Sequence, residues 1–188
     1  MRARAGSAIA VGVLTAATFV ANPPVAVAYP PGFPDLDTFT AVDAKAFGYS
    51  ANPWSGTSVA FRTPDGLDCG WNASSDAIAH PRFSCIGNIP GLPDGVDPHD
   101  GGCTEVLLDS LGPAHSPELF RFKHSFPVSQ QCPGDNAYRD KDYRPLPADS
   151  KITASNVTCA VSGDGLTACI DPIVNEGFVL TPAGSWTF

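Results

Sequence analysis

The sequence has no run or cluster of basic residues. Its 11 Lys and Arg face 19 Asp and Glu over 188 residues, for a formal charge of −8. A chain so short of cations is repelled by nucleic-acid phosphates and by anionic lipid surfaces, which argues against both as partners. It has no Cys-x-x-Cys pair, so zinc-ribbon and thioredoxin-like redox readings lack their motif. It also lacks a Gly-x-Ser-x-Gly elbow, a His-Glu-x-x-His helix, a Walker loop and a dinucleotide fingerprint. Long helices have little room among 18 glycines and 19 prolines.

The first 28 residues form a recognisable start. A short basic stretch, Met1-Arg-Ala-Arg-Ala-Gly6, precedes an apolar run from Ala8 to Val20 and a small-residue end, Ala26-Val27-Ala28. This pattern predicts a secretory signal peptide cleaved before Tyr29. Pro23-Pro24 interrupts the run and argues against a retained membrane anchor. The first cysteine is Cys69, far from the cleavage site, so the mature chain has no lipid attachment point there. Loss of Arg2 and Arg4 with the signal takes the formal charge from −8 to −10. The expectation is a protein that is secreted or associated with the cell envelope, without stable membrane insertion.

An exported chain meets oxidising conditions, and the even cysteine count favours disulfides among Cys69, Cys85, Cys103, Cys132, Cys159 and Cys169. One pairing follows from local pattern. Strand-like runs Ile152 to Val161 and Leu166 to Ile170 flank Ser162-Gly-Asp-Gly165, and a hairpin centred on Asp164 places Cys159 opposite Cys169. A second hairpin, Ser58 to Arg62 and Leu67 to Trp71, turns at Thr63-Pro-Asp-Gly66. Pro64 and Gly66 there suit a type I turn whose glycine takes positive φ. Cys69 leaves this hairpin and can meet Cys85 on the next strand-like run, Arg82 to Ile86. Sequential pairing, with Cys103 to Cys132 as the third bridge, is the simplest of the possible schemes.

Tyr29 to Pro34 reads as an extended lead-in, followed by a short strand at 38–42 and a helical turn at 43–47. Thr104 to Leu111 is too short for periodicity to choose between strand and helix. Leu119 to His124 alternates, with Phe120 and Phe122 on one face, and predicts a half-buried strand. Gly177 to Phe188 reads as a closing hairpin. The predicted class is all-β with minor α: a small disulfide-stapled sandwich or partly closed barrel of short antiparallel strands and hairpins. The expected organisation is a signal peptide over 1–28, a Pro-rich lead-in partly packed on the domain over 29–57, and a six-cysteine β-rich domain over 58–188.

Several of these motifs together resemble one family. They are Phe61-Arg-Thr-Pro-Asp-Gly-Leu-Asp-Cys69-Gly, Phe83-Ser-Cys85, Cys103, Cys132-Pro-Gly-Asp135, Cys159, Gly165-Leu-Thr-Ala-Cys169 and Gly177-Phe-Val-Leu180. The combination is similar to small actinobacterial, especially mycobacterial, exported six-cysteine proteins, secreted or lipid-anchored, of unassigned function. Phe33-Pro-Asp-Leu36 and Phe83-Ser-Cys-Ile-Gly-Asn-Ile-Pro-Gly91 look like the mycobacterial branch. The resemblance implies location and fold and brings no catalytic residues with it. The sequence departs from it at Asn175-Glu176, where many relatives carry Gly-x or Gly-His.

Candidate chemistry is sparse. Asp94, Asp97 and Asp100, with His99 in the same glycine-rich loop, offer oxygen ligands to Ca²⁺, but the spacing does not match an EF-hand and a solvated acidic loop is the simpler reading. Tyr138, Tyr143 and Arg144 are residue types enriched at binding hot spots and sit in a mixed-charge stretch. His80, His115 and His124 read as turn or strand-end residues, and Trp54, Trp71 and Trp186 as core or sheet-face residues. The function these features favour is a non-catalytic binding module at the envelope or outside the cell, needing no cofactor or metal. The rivals are a secreted hydrolase with scattered His, Asp and Ser, testable at His99 or His124, and a purely structural envelope protein.

Overall fold

The computed structural model describes residues 29–49, 58–72, 82–96, 103–109, 119–125 and 143–188. Two sheets carry the fold. Sheet A runs, in spatial order, β1 (Thr40–Val42), β9 (Ser150–Ala154), β10 (Val157–Val161), β11 (Thr167–Asp171), β12 (Glu176–Leu180) and β13 (Trp186–Thr187). Sheet B runs β2 (Gly48–Tyr49), β3 (Ser58–Arg62), β4 (Asp68–Asn72), β5 (Phe83–Gly87), β6 (Cys103–Asp109) and β7 (Leu119–Ser125). The short β8 (Arg144–Pro145) lies parallel beside the second half of β3, whose first half pairs with β2. β1–β9 in sheet A and β3–β8 in sheet B are parallel and the other pairs antiparallel, so both sheets are mixed. Among the described residues the sheets do not close into a barrel, and the sandwich alternative is the one adopted.

Each sheet carries one transverse row of inward side chains with a cystine at its centre. In sheet B the row is Phe61, Cys69, Cys85, Val106, Phe122; in sheet A it is Ile152, Cys159, Cys169, Phe178. Cys69–Cys85 and Cys159–Cys169 are both bonded, each with Cα atoms 4.1 Å apart. That spacing is close to that of non-hydrogen-bonded antiparallel pairs, where side chains approach most nearly. Cys103 is also disulfide-bonded; Cys132, its expected partner, lies outside the described residues.

The two rows face one another across a single core. Phe178 of sheet A meets Phe83 and Phe120 of sheet B at ring-centroid distances of 5.6 and 5.5 Å. Trp71 is buried on sheet B, edge-on to Phe61, and its indole N–H donates to the Ala154 carbonyl of sheet A at 3.2 Å. This is the partner a buried indole requires, and it also sets how the two sheets are stacked.

Sheet A is covered on its outer face too. Adjacent residues on a strand point to opposite sides, so Ala160 and Ile170 face away from the cystine and pack with Leu36, Phe33, Phe39 and Phe188. Asp35 and Asp43 start the two 3₁₀ turns, Leu36–Thr38 and Ala44–Phe47, by accepting from Asp37 N and Lys45 N, both at 3.0 Å. Lys151 Nζ donates to the Leu36 carbonyl at 2.7 Å, and Thr40 N to the Asp149 carbonyl at 2.9 Å, fastening this segment to β9. β11 is therefore buried along its whole length.

One turn is used twice. In Thr63-Pro-Asp-Gly-Leu67 and Ser162-Gly-Asp-Gly-Leu166 the first backbone N–H donates to the leucine carbonyl at 2.9 Å in both. The first hydroxyl accepts from the leucine N–H and donates to the aspartate, and the glycine has φ 94° in one and 87° in the other. The two copies turn opposite faces to the core. Next to the first, Arg62 and Asp68 point outward; next to the second, Val161 and Thr167 point inward.

One sequence expectation is corrected and one open choice is settled. Ile152 to Val161 is not one run but the hairpin β9–β10, turned at Ser155-Asn156 with Ser155 at φ 52°. A serine seldom takes that conformation, so no turn signal marks it. The stretch from Thr104 to Leu111, undecided between strand and helix, contributes to strand β6 over Cys103–Asp109.

Two stability outcomes follow. Replacing Cys159 and Cys169 together by alanine opens a loop with a sequence separation of 10, and chain entropy sets the loss at about 2–3 kcal/mol, read as a lower urea midpoint. Thr167 is fully buried between Val161 and Leu180, and its Oγ1 has no hydrogen-bond partner among the described residues. The Thr167→Val protein, of nearly the same shape, should be more stable by about 1 kcal/mol in the same assay.

Candidate functional site

The site grows from the first of the paired turns. By turning Arg62 and Asp68 outward, it starts a row across the outer face of sheet B that reads Arg62, Asp68, Ile86, Glu105, Lys123. The next row reads Ala60, Gly70, Ser84, Leu107, Arg121, and Ser58 opposite Asn72 begins a third.

Between these rows lies a cleft of about 270 Å³. Asp68 and Glu105 contribute carboxylates, Ser58 and Ser84 hydroxyls, Asn72 an amide and Tyr143 a phenol; Trp71 and Ile86 complete the lining. Gly70 supplies the floor without a side chain. A Cβ there would lie 2.8 Å from the Val59 carbonyl of the neighbouring strand, closer than a side chain can come without moving backbone.

The charges in the cleft are individually answered. Arg62 clasps Asp68 with both arms, Nε to Oδ1 at 2.6 Å and Nη2 to Oδ2 at 2.9 Å, and Asp68 is 3% exposed. This bidentate geometry is the strongest form of Arg–carboxylate pairing. Glu105 is half-buried, and burial pushes its carboxyl above the usual range, partly offset by a hydrogen bond with Ser84 and by the charge of Lys123. The carboxylates therefore differ. Asp68 is tied to a guanidinium on both oxygens, while Glu105 favours its neutral form more than an exposed glutamate does. Two carboxylates flanking a cleft are the raw material of acid–base hydrolysis, but the oxygens of Asp68 are already engaged by Arg62, which leaves it poorly placed to activate water. What the arrangement offers is recognition, with acceptors, hydroxyls and an amide converging on a small polar volume.

The sequence candidates are distributed unevenly around this cleft. Tyr143 lines it. Arg144, its chain neighbour, instead donates from Nη1 to the Ala46 carbonyl at 2.9 Å, binding β8 to the second 3₁₀ turn. Asp94 sits exposed in a turn closed by Val96 N to the Pro93 carbonyl. Asp97, Asp100, His99, His80, His115, Tyr138 and Trp54 lie outside the described residues, as does the side chain of His124. Among the described residues no three His, Cys, Asp or Glu side chains gather as a metal site. Trp186 packs tilted against Phe188, ring centroids 5.1 Å apart, on the far sheet.

Sequence reasoning missed Asp68, Asn72, Ser84 and Glu105. The available signal was the placing of acids inside strand-like runs, with Arg62 and Lys123 at cross-strand positions. Comparison with family models, with curated proteins and with solved structures finds no match to this chain.

The raised carboxyl of Glu105 fixes a pH dependence. A folded-state affinity for the proton above that of the unfolded chain stabilises the protein fully below about pH 4.5, and this contribution is lost as pH rises through the folded-state value. In Glu105→Gln that loss should vanish. Urea midpoints of the two proteins, taken from pH 4 to 8 (about one unit apart), should diverge in the variant's favour as pH rises; parallel curves would refute the assignment.

Proposed function

We propose that the protein is exported with residues 1–28 removed, and that outside the cell it acts as a non-catalytic binding module that seats its ligand in the cleft over Gly70. The observation that carries this reading is the cleft itself: a recessed polar volume of about 270 Å³ on a sheet whose other face is locked into a cystine-centred core. Rigid backing of this kind lowers the ordering cost of binding.

Two disulfides fit a chain stabilised for oxidising surroundings. Among the described residues no helix is long and apolar enough to cross a membrane. The basic, apolar and Ala-x-Ala segments before Tyr29, and the resemblance to actinobacterial exported six-cysteine proteins, support the same location. The strongly acidic chain favours an envelope or host component over nucleic acid as partner.

Mass spectrometry of the exported protein should give an N-terminus at Tyr29, and retention of Met1 would overturn the export half of the reading. For the binding half, a photo-crosslinking residue at Leu107, opposite Ser84 at the edge of the cleft, should capture a partner in the native surroundings. The same residue at Ile173, 68% exposed on the β11–β12 turn, should not; equal capture from both positions would overturn it.

A further inference from the structure

Resting on that reading of the cleft, we infer that its ligand is a neutral sugar ring, a single hexose unit of a glycan, held by hydrogen bonds from the outer face of sheet B.

Three observations narrow the chemistry. The first is size. About 270 Å³ is below the range of roughly 300–1,000 Å³ typical of drug-sized ligands. One ring fits where a dinucleotide, a lipid or a folded peptide does not.

The second is charge. Among the described residues no lining side chain is cationic, so they offer an anion no counter-charge within the cleft. Its two carboxylates are compensated within their own row, Asp68 by the Arg62 fork and Glu105 by Lys123 beside it. Burial further favours the uncharged form of Glu105. An organic cation would thus enter a site whose negative charge is already answered.

The third is the pattern of donors and acceptors. A sugar hydroxyl both donates and accepts, and neighbouring hydroxyls are best met by groups that offer both functions close together. Ser58, Ser84, Asn72 and Tyr143 each do so. The side-chain-free floor at Gly70, next to Ile86, gives the ring's C–H face a flat surface to lie on.

The test is amide chemical-shift mapping on the full mature protein. The probes are a panel of methyl hexopyranosides and short neutral oligosaccharides, beside an arginine and choline series and inorganic phosphate. At least one neutral glycoside should shift the amides of Gly70, Asn72, Ser84 and Glu105, with a dissociation constant on the order of 1 mM, as expected for so small a ligand. Asn72→Ala and Ser84→Ala should each weaken that binding about tenfold or more, with thermal melts confirming that both remain folded. Shifts at these amides from the cations or phosphate, and from no glycoside, would overturn the sugar assignment while leaving the binding cleft in place. No shift at these amides from any probe, when the Leu107 crosslinker still captures a partner, would likewise remove the sugar and keep the module. Failure of both experiments removes the cleft reading itself.

Discussion

The cross-strand cystines are the constraint on which the remaining geometry depends. In a β-sheet a slip of one residue exchanges the two faces of a strand. Cys69 opposite Cys85, and Cys159 opposite Cys169, forbid that slip at the centre of each sheet. Once Cys69 and Cys85 are fixed inward, Asp68, Gly70, Ser84 and Ile86 are fixed outward, and these are the residues that make the cleft. The bridge thus acts on the site through register, although no sulfur atom lines it. The Arg62–Asp68 clasp, one register position from the Cys69 pair, repeats the same pinning on the opposite face.

The two sheets are then treated differently. Sheet A is packed on both sides, inward against sheet B and outward under Leu36 and its aromatic neighbours. Its β11 has no exposed residue, and the polar groups of Thr167 and Asp171 are taken into the interior. Sheet B keeps charged and hydroxylated side chains on its outer face, with Asp68 and Glu105 drawn partly out of water. Burying a carboxylate is unfavourable unless it is paired. Both members of this pair are answered by cations one strand away, a balance that leaves the site polar but nearly neutral.

Much of the scaffold was legible because its signals are local. Thr63-Pro-Asp-Gly66 and Ser162-Gly-Asp-Gly165 announce their turns, and each turn dictates its cross-strand partners. The Cys159–Cys169 bridge follows from that arithmetic, while Cys69–Cys85, expected only as part of the simplest sequential scheme, is also formed. The short strand and helical turn read at 38–47 correspond to β1 and the second 3₁₀ turn. The β9–β10 reversal was hidden because Ser155 adopts a backbone conformation its residue type does not advertise. The cleft was hidden for a different reason. Asp68 and Glu105 approach only because β5 pairs with both their strands, and strand order is not encoded by any short segment. Tyr143 was singled out by residue type alone, and its chain neighbour Arg144, selected on the same ground, serves to dock β8.

Tyr29 stacks on Phe33 at 5.3 Å, and Phe33 meets Phe188 edge-on at 5.6 Å, so the first described residue and the C-terminal residue are held together on the outer side of sheet A. The cleft opens on the outer side of sheet B, at the opposite pole of the sandwich. A molecule held through the Tyr29, Phe33 and Phe188 cluster, by a fused group or a surface, therefore presents the cleft on its far side, like a cup held by its base.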